Sequence, residues 1–194
     1  KATELELLEP VRETLAVRER GVRSDKDAHA ADAFDAFHGY AASGEVSAQV
    51  VYANYGDVDD FKTLQRLGID LRGRIALVRY GRIFRGLKVR NAERAGLAGV
   101  LLYSDPADDG YAQADPYPRG QGRPADAIQR GSVQYLSEGP GDPSTPGWPS
   151  TAAGKRLKPG ELKGVPRIPS MPMSYGEAQR ILERLDGPQV PKGW

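Results

Sequence analysis

The 194 residues, 39% hydrophobic and 27% charged, are enough to bury one sizeable core, while 23 glycines and 15 prolines predict short elements joined by turns. A formal net charge of +1 gives no global attraction to nucleic acid or to an anionic membrane, and the absence of cysteine excludes disulfides, thiolate metal sites and cysteine nucleophiles. No signal peptide and no run of about 18 apolar residues is present. The chain starts at Lys1 rather than Met, which points to a processed protein or an excised fragment.

From the start, Leu5 and Leu7 alternate with polar neighbours, Pro10 interrupts, and Leu15 and Val17 alternate again, which predicts two short strands; a helix from Val11 to Glu19 is the alternative. Residues 21–33 are polar turn formers and read as a loop. Phe34, Phe37 and Tyr40 recur at a spacing of three, either a helical turn or an aromatic anchor of a loop on a core. The β-branched and aromatic run from Val46 to Tyr55 predicts a strand. Asp57 can cap a helix whose inner face is Val58, Phe61, Leu64 and Leu67, closed by Gly68.

The stretch from Leu71 to Pro106 is the most informative. Ile75 to Tyr80 is a short continuous apolar run that suits a strand buried on both faces. Gly81 and Gly86 bracket a loop, Val89, Ala92 and Ala95 recur at helical spacing, and Gly96 sits where a left-handed cap would stop the turn. Gly99 to Tyr103 is the next strand, so a right-handed βαβ unit is predicted. Its first turn should display Phe84 and Arg85 at a strand end, where such units bind ligands.

Between Pro106 and Pro169 recurrent prolines exclude long elements, leaving only Ile128 to Leu136 as a strand bent at Gly131. So long a loop points to function or to a partner surface. Ile168 to Met173 reads as an extended edge strand. Ser174 and Glu177 form a capping box before a helix with Ala178, Ile181, Leu182 and Leu185 on one face, terminated by Gly187.

Between Arg72 and Arg90 seven basic residues occur without one Asp or Glu, which reads as an anion site or as a solvated face paired with acids elsewhere; Arg85, between its two glycines, should be displayed. GRIFRGLK misses the phosphate-loop pattern because Leu87 and Val89 flank Lys88 where Lys and a hydroxyl residue should follow the second glycine. His29 and His38 lack partners at zinc-site spacing, and Asp105, Asp108 and Asp109 match a calcium loop only weakly. No serine elbow with a nearby histidine is visible. The residues themselves reveal no catalytic set.

The segment from YANYGDVDDFKTLQRLGIDLRGRIALVRYGRIFRGLKVRNAERAGLAGVLLYSDPADDG through QRGSVQYL, GDPSTPGWPS and IPSMPMSYGEAQRIL closely resembles the protease-associated (PA, apical) domain of the glutamate carboxypeptidase II and transferrin receptor group, within the M28 zinc peptidases. The resemblance runs in unbroken order from about Phe37 to Leu185 and implies a mixed α/β PA fold: a central β-sandwich or open barrel flanked by about three helices, with long Pro/Gly-rich loops. It divides the chain into a partly extended preceding segment (residues 1–36), the PA domain (37–187) and a linker (188–194) toward a peptidase domain.

By the same resemblance the domain is a non-catalytic lid that contributes to substrate recognition. The family's FRG loop supplies a Phe and an Arg, here Phe84 and Arg85, the Arg meeting a substrate carboxylate. Where the family has a pocket Asn, this chain has Glu138, an acid in place of an amide. Backbone oxygens near Thr151 and Ala153 would lie close to a calcium ion in the longer protein, and zinc would be bound by the peptidase domain. The implied partners are that peptidase domain and a peptide with an acidic terminus, with no nucleic acid and no membrane. A homodimer of the longer protein is compatible with the resemblance, and the implied location is extracellular or periplasmic. The alternative is a non-catalytic interaction module of the transferrin receptor-like branch.

Overall fold

A computed structural model describes residues 3–194; Lys1 and Ala2, with which the expected preceding segment opens, lie outside the described residues. The chain order is β1 (Glu6–Leu7), β2 (Glu13–Thr14), β3 (His38–Gly39), β4 (Val50–Tyr52), α1 (Val58–Arg66), β5 (Ile75–Arg79), α2 (Arg85–Arg94), β6 (Gly99–Tyr103), α3 (Pro106–Asp109), β7 (Gly131–Ser132), β8 (Ser170–Met173) and α4 (Tyr175–Leu182). The architecture is the mixed α/β one expected. At its centre is an open four-stranded sheet in the order β4-β5-β6-β8, with every neighbouring pair parallel. Two smaller ladders accompany it, an antiparallel β1-β2 hairpin and a parallel β3-β7 pair. No helix among the described residues is long and apolar enough to cross a membrane.

The sheet is covered on both faces, and the strand period of two assigns the cover. Ala76 and Val78 of β5, with Val100 and Leu102 of β6, face Phe61 and Leu64 of α1 and Val89 and Ala92 of α2. Leu77, Leu101 and Tyr103 point the other way, toward Leu15, Met173, and Ala178 and Ile181 of α4. All of β6 is buried, which explains why its sequence is a continuous apolar run rather than an alternating one. The residues before the predicted domain boundary therefore share its core. Leu15 is 2% exposed, and Glu13 is gripped by Arg180 of α4 and, at 3.1 Å, by Arg184 just beyond it.

Several elements differ from expectation for identifiable reasons. The predicted strand from Val46 to Tyr55 is regular only over Val50–Tyr52; backbone bonds to β5 continue from Gln49 to Asn54, after which Asn54 (φ 50°) and Gly56 (φ 66°) turn the chain into α1. On α1, Phe61 and Leu64 are buried but Val58 and Leu67 are about half exposed, since a helix of 9 residues presses only its middle turns on the sheet. The expected bent strand from Ile128 shrinks to β7, held by β3. Phe34 stacks edge-on against Phe37 at 5.9 Å, and both remain exposed, forming neither a helical turn nor a core anchor. The Gly96 cap (φ 87°) is as read from the sequence; of the expected Ser174–Glu177 capping box only the Ser174 half forms, on the Glu177 amide, because the Glu177 carboxylate takes Arg180 at 2.9 Å, and α4 ends at Leu182, before Gly187.

Because Leu15 closes the second face of the sheet, Leu15→Ala should cost about 2–5 kcal/mol in urea unfolding. A cost below about 1 kcal/mol would show that the hairpin is a separable attachment.

Candidate functional site

A cleft of about 330 Å³ opens beyond the carboxyl ends of β5 and β6, between the Gly81–Arg85 turn and the α3 segment. This is where a parallel sheet exposes its strand ends to ligands. One wall carries Tyr80, Phe84 and Arg85, and the other Asp105, Asp108 and Asp109.

Helix α2 begins earlier than the glycine bracket suggested. Phe84 is its N-cap and Arg85 its first residue, so the arginine leaves from a helical turn and not from a free loop. Nor is it fully displayed. Its Nη1 donates to the Ser132 carbonyl at 3.3 Å, its guanidinium carbon lies 5.4 Å from the Phe84 ring centre and 5.9 Å from that of Tyr80, and its buried Nε has no acceptor. Gly86 is a helical residue, and it is needed for packing: a Cβ there would stand 2.7 Å from the Val133 carbonyl oxygen and 2.8 Å from that of Gln134.

The seven basic residues between Arg72 and Arg90 do not form one site. Arg79 points inward, donating to Asn54 Oδ1 at 2.5 Å and lying 3.5 Å from Asp105. Arg79 and Arg82 both stack on the Tyr55 ring, at 4.1 and 4.2 Å. Lys88 is completely buried and donates to the Tyr55 and Gly81 carbonyls at 2.5 and 2.7 Å; burial lowers its pKa to about 8. Arg90 pairs with Glu138.

The acidic wall is equally committed. Asp105 caps α3 through the Ala107 amide, Asp108 accepts from the Tyr55 hydroxyl at 2.6 Å, and Asp109 pairs with Arg123 at 2.6 Å. These contacts organise the three carboxylates; among the described residues no group of three or more His, Asp or Glu is placed to hold a metal ion. The cleft thus brings three anions together with two arginines that pair with them, and with Arg85, which has no carboxylate partner among the described residues.

Glu138 lies elsewhere. Its carboxylate takes Arg90 at 2.9 Å and Arg94 at 3.3 Å in a second cleft of about 570 Å³, so the structure does not bring it to the cleft of Phe84 and Arg85. Thr151 and Ala153 are exposed on a turn where the Thr151 carbonyl accepts from the Gly154 amide at 3.1 Å. That turn is shaped by Asp142, which accepts from Ser150 and Ser144 and from Arg156; these bonds hold its carboxyl far below the usual carboxylate range.

Sequence reasoning missed the groups behind Arg85. The Tyr80 hydroxyl donates to the Gln129 carbonyl at 2.6 Å, which leaves its oxygen to accept from His38 Nε2 at 2.9 Å. His38 Nδ1 is then the acceptor for the Ser170 hydroxyl at 3.0 Å. One neutral tautomer satisfies the whole chain. Burial first, and the nearby Arg85 charge second, lower the His38 pKa from 6.5 to about 3. Only pairing across the chain could have revealed this relay, because His38 has no local motif.

These features define a mixed α/β domain with an arginine-bearing cleft at its strand ends. Residues 44–136 match the PA domain family and belong to it. Vacuolar protein sorting-associated protein 70 of Saccharomyces cerevisiae is 44% identical over 171 residues, covering 86% of this chain and 21% of that protein. A probable glutamate carboxypeptidase of Arthroderma benhamiae is 47% identical over 164 residues (82% and 22%), and human transferrin receptor protein 2 is 38% identical over 160 (82% and 19%). The chain is thus related to the glutamate carboxypeptidase and transferrin receptor group, and spans about a fifth of the length of these relatives. A zinc aminopeptidase from Bacillus subtilis superposes with a TM-score of 0.36 at 19% identity, covering 69% of this chain and 21% of that one, too low a score to carry an argument.

Two expectations follow from the geometry. Lys88→Met should lower stability by about 2–4 kcal/mol in chemical unfolding, since it leaves two buried carbonyls without donors; an unchanged midpoint would mean that those carbonyls find other partners. Because folded His38 resists protonation, its contribution is full above about pH 6.5 and is lost as pH falls from there toward 3. By pH 5 the parent should lose on the order of 2 kcal/mol more than His38→Gln does. Parallel losses in the two proteins would contradict a buried neutral imidazole.

Proposed function

We propose that this chain is the non-catalytic substrate-recognition cover of a larger zinc peptidase related to glutamate carboxypeptidase, and that Arg85 binds a carboxylate of an acidic peptide substrate. The observation that carries this reading is the charge balance of the cleft: Arg79 and Arg123 face aspartates and Arg82 lies over the Tyr55 ring, whereas Arg85 lines the cleft itself and has no carboxylate partner among the described residues. A guanidinium held by packing on aromatic rings, with planar donors to spare, suits a carboxylate ligand. Phe84 presents a half-buried ring beside it for the apolar part of the substrate.

Among the described residues no set fits a zinc site, as the commitment of His38 to Ser170 and Tyr80 illustrates, so zinc in this proposal is bound by the rest of the longer protein. Calcium near Thr151 and Ala153 would likewise take its carboxylates from there. We place such a protein outside the cell or in the periplasm, with the peptidase domain as this chain's main partner. The 38% identity to transferrin receptor protein 2 favours a second reading, a protein-binding module without catalysis in the longer chain.

In the longer protein, Arg85→Ala should raise KM for acidic dipeptides roughly tenfold or more with little change in kcat, consistent with one lost charged hydrogen bond. An unchanged KM would remove Arg85 from substrate binding, and a longer protein without peptidase activity would favour the second reading.

A further inference from the structure

We propose that Gly131 is a positioning residue whose missing side chain provides the seat of the Arg85 guanidinium; the inference rests on the reading of Arg85 given above. A Cβ added at Gly131 would lie 2.5 Å from Arg85 Nη1, 2.6 Å from Cζ and 3.0 Å from Nη2. Non-bonded heavy atoms settle at about 3.5–4.0 Å, so the head group occupies space that any other residue would fill. The neighbouring Ser132 carbonyl accepts from Nη1, and the rings of Phe84 and Tyr80 stand on the other sides. Tyr80 is itself held by Gln129 and His38. The guanidinium is thereby oriented without a carboxylate, which leaves its charge for a ligand.

The contact is one half of a pair. Across the same junction Gly86 lets the first turn of α2 rest on the backbone of residues 133 and 134. The two glycines differ in what a side chain would meet. At Gly86 the obstacles include two backbone carbonyls, which belong to the fold and cannot step aside. At Gly131 the three nearest atoms are all the far end of one flexible side chain. A methyl at Gly86 disrupts packing, whereas a methyl at Gly131 displaces the arginine and leaves its charge on the molecule. Gly131 therefore sets where the recognising group points, and Gly86 sets whether the junction closes.

The test is a double-mutant cycle on this chain, read by urea unfolding, together with a spectrum of its labelled arginines. Gly131→Ala should lower the unfolding midpoint, and that loss should shrink by about half or more in an Arg85→Ala background, where no head group needs the space. The Arg85 Nε–H is buried, so ¹⁵N-arginine spectra of the parent should show a protected cross-peak, absent in Arg85→Ala and lost or displaced in Gly131→Ala. Glutarate should shift that cross-peak in the parent, with about a tenfold weaker response in Gly131→Ala. Gly131 has φ 159°, so an alanine there keeps a backbone cost in either background; if Gly131→Ala does not fold, the double variant should fold and be less stable than Arg85→Ala by that backbone cost alone, and its failure to fold would overturn the proposal. An equal cost of Gly131→Ala in both backgrounds would also overturn it, since the glycine would then be required by the backbone alone. An intact coupling with no glutarate shift in the parent would support the seat and overturn the carboxylate reading alone.

Discussion

A single buried ammonium joins the two turns from which the cleft is built. Lys88 is fully buried in α2, and its Nζ donates to carbonyls at the ends of both β4 and β5, those of Tyr55 and Gly81. Burying a charge is costly unless it is well bonded, which is why its pKa falls, yet at about 8 the group stays largely protonated near neutral pH. Asn91, one turn along the helix, donates to the Gly56 carbonyl at 3.2 Å and extends the same brace. The carboxylate of Asp60 completes it from the other side, accepting from Asn54 Nδ2 and from the amides of Tyr55 and Asp57. With the turns fixed to α2, the helix cannot slide, and Arg85 on its first turn inherits that fixed position.

The same constraint explains the electrostatics. At the strand ends the chain places three aspartates opposite several arginines, and geometry decides which of them pair. Arg79 is held inward by Asn54 and the Tyr55 ring and so reaches Asp105; Arg123 reaches Asp109 from the long loop. Arg85 is directed by its helix toward Gly131 and Ser132. The cleft sets an acidic wall, whose three aspartates are partly offset by Arg79 and Arg123, opposite the oriented Arg85 guanidinium, so the repulsion met by a carboxylate approaching Arg85 is reduced. Glu138 is likewise neutralised by Arg90 and Arg94, which removes the electrostatic objection that an acid would otherwise raise.

What could be read from the sequence was local. Asp57 before Val58, the continuous run at Gly99 to Tyr103 and Ser174 before α4 each carry their structural cause within a few residues, and each formed as expected. Phe84 and Arg85 were legible as a pair at a strand end because glycines and a buried strand surround them. The supporting groups were not legible. Lys88 reads as one more member of a basic run until the fold buries it, and His38 pairs with Tyr80 and Ser170, which are 42 and 132 residues away. Gly131 reads as a strand bend, and only the approach of α2 reveals that the Arg85 head group fills its side-chain space. Long-range partners set these roles, and neither propensity nor periodicity encodes them.

The most direct measurement is a crystal structure of the longer protein with an acidic dipeptide analogue bound. A ligand carboxylate should lie within about 3 Å of the Arg85 guanidinium, with that head group still seated on Gly131. A bound analogue whose carboxylates are all held by other residues, with Arg85 turned away, would contradict that placement.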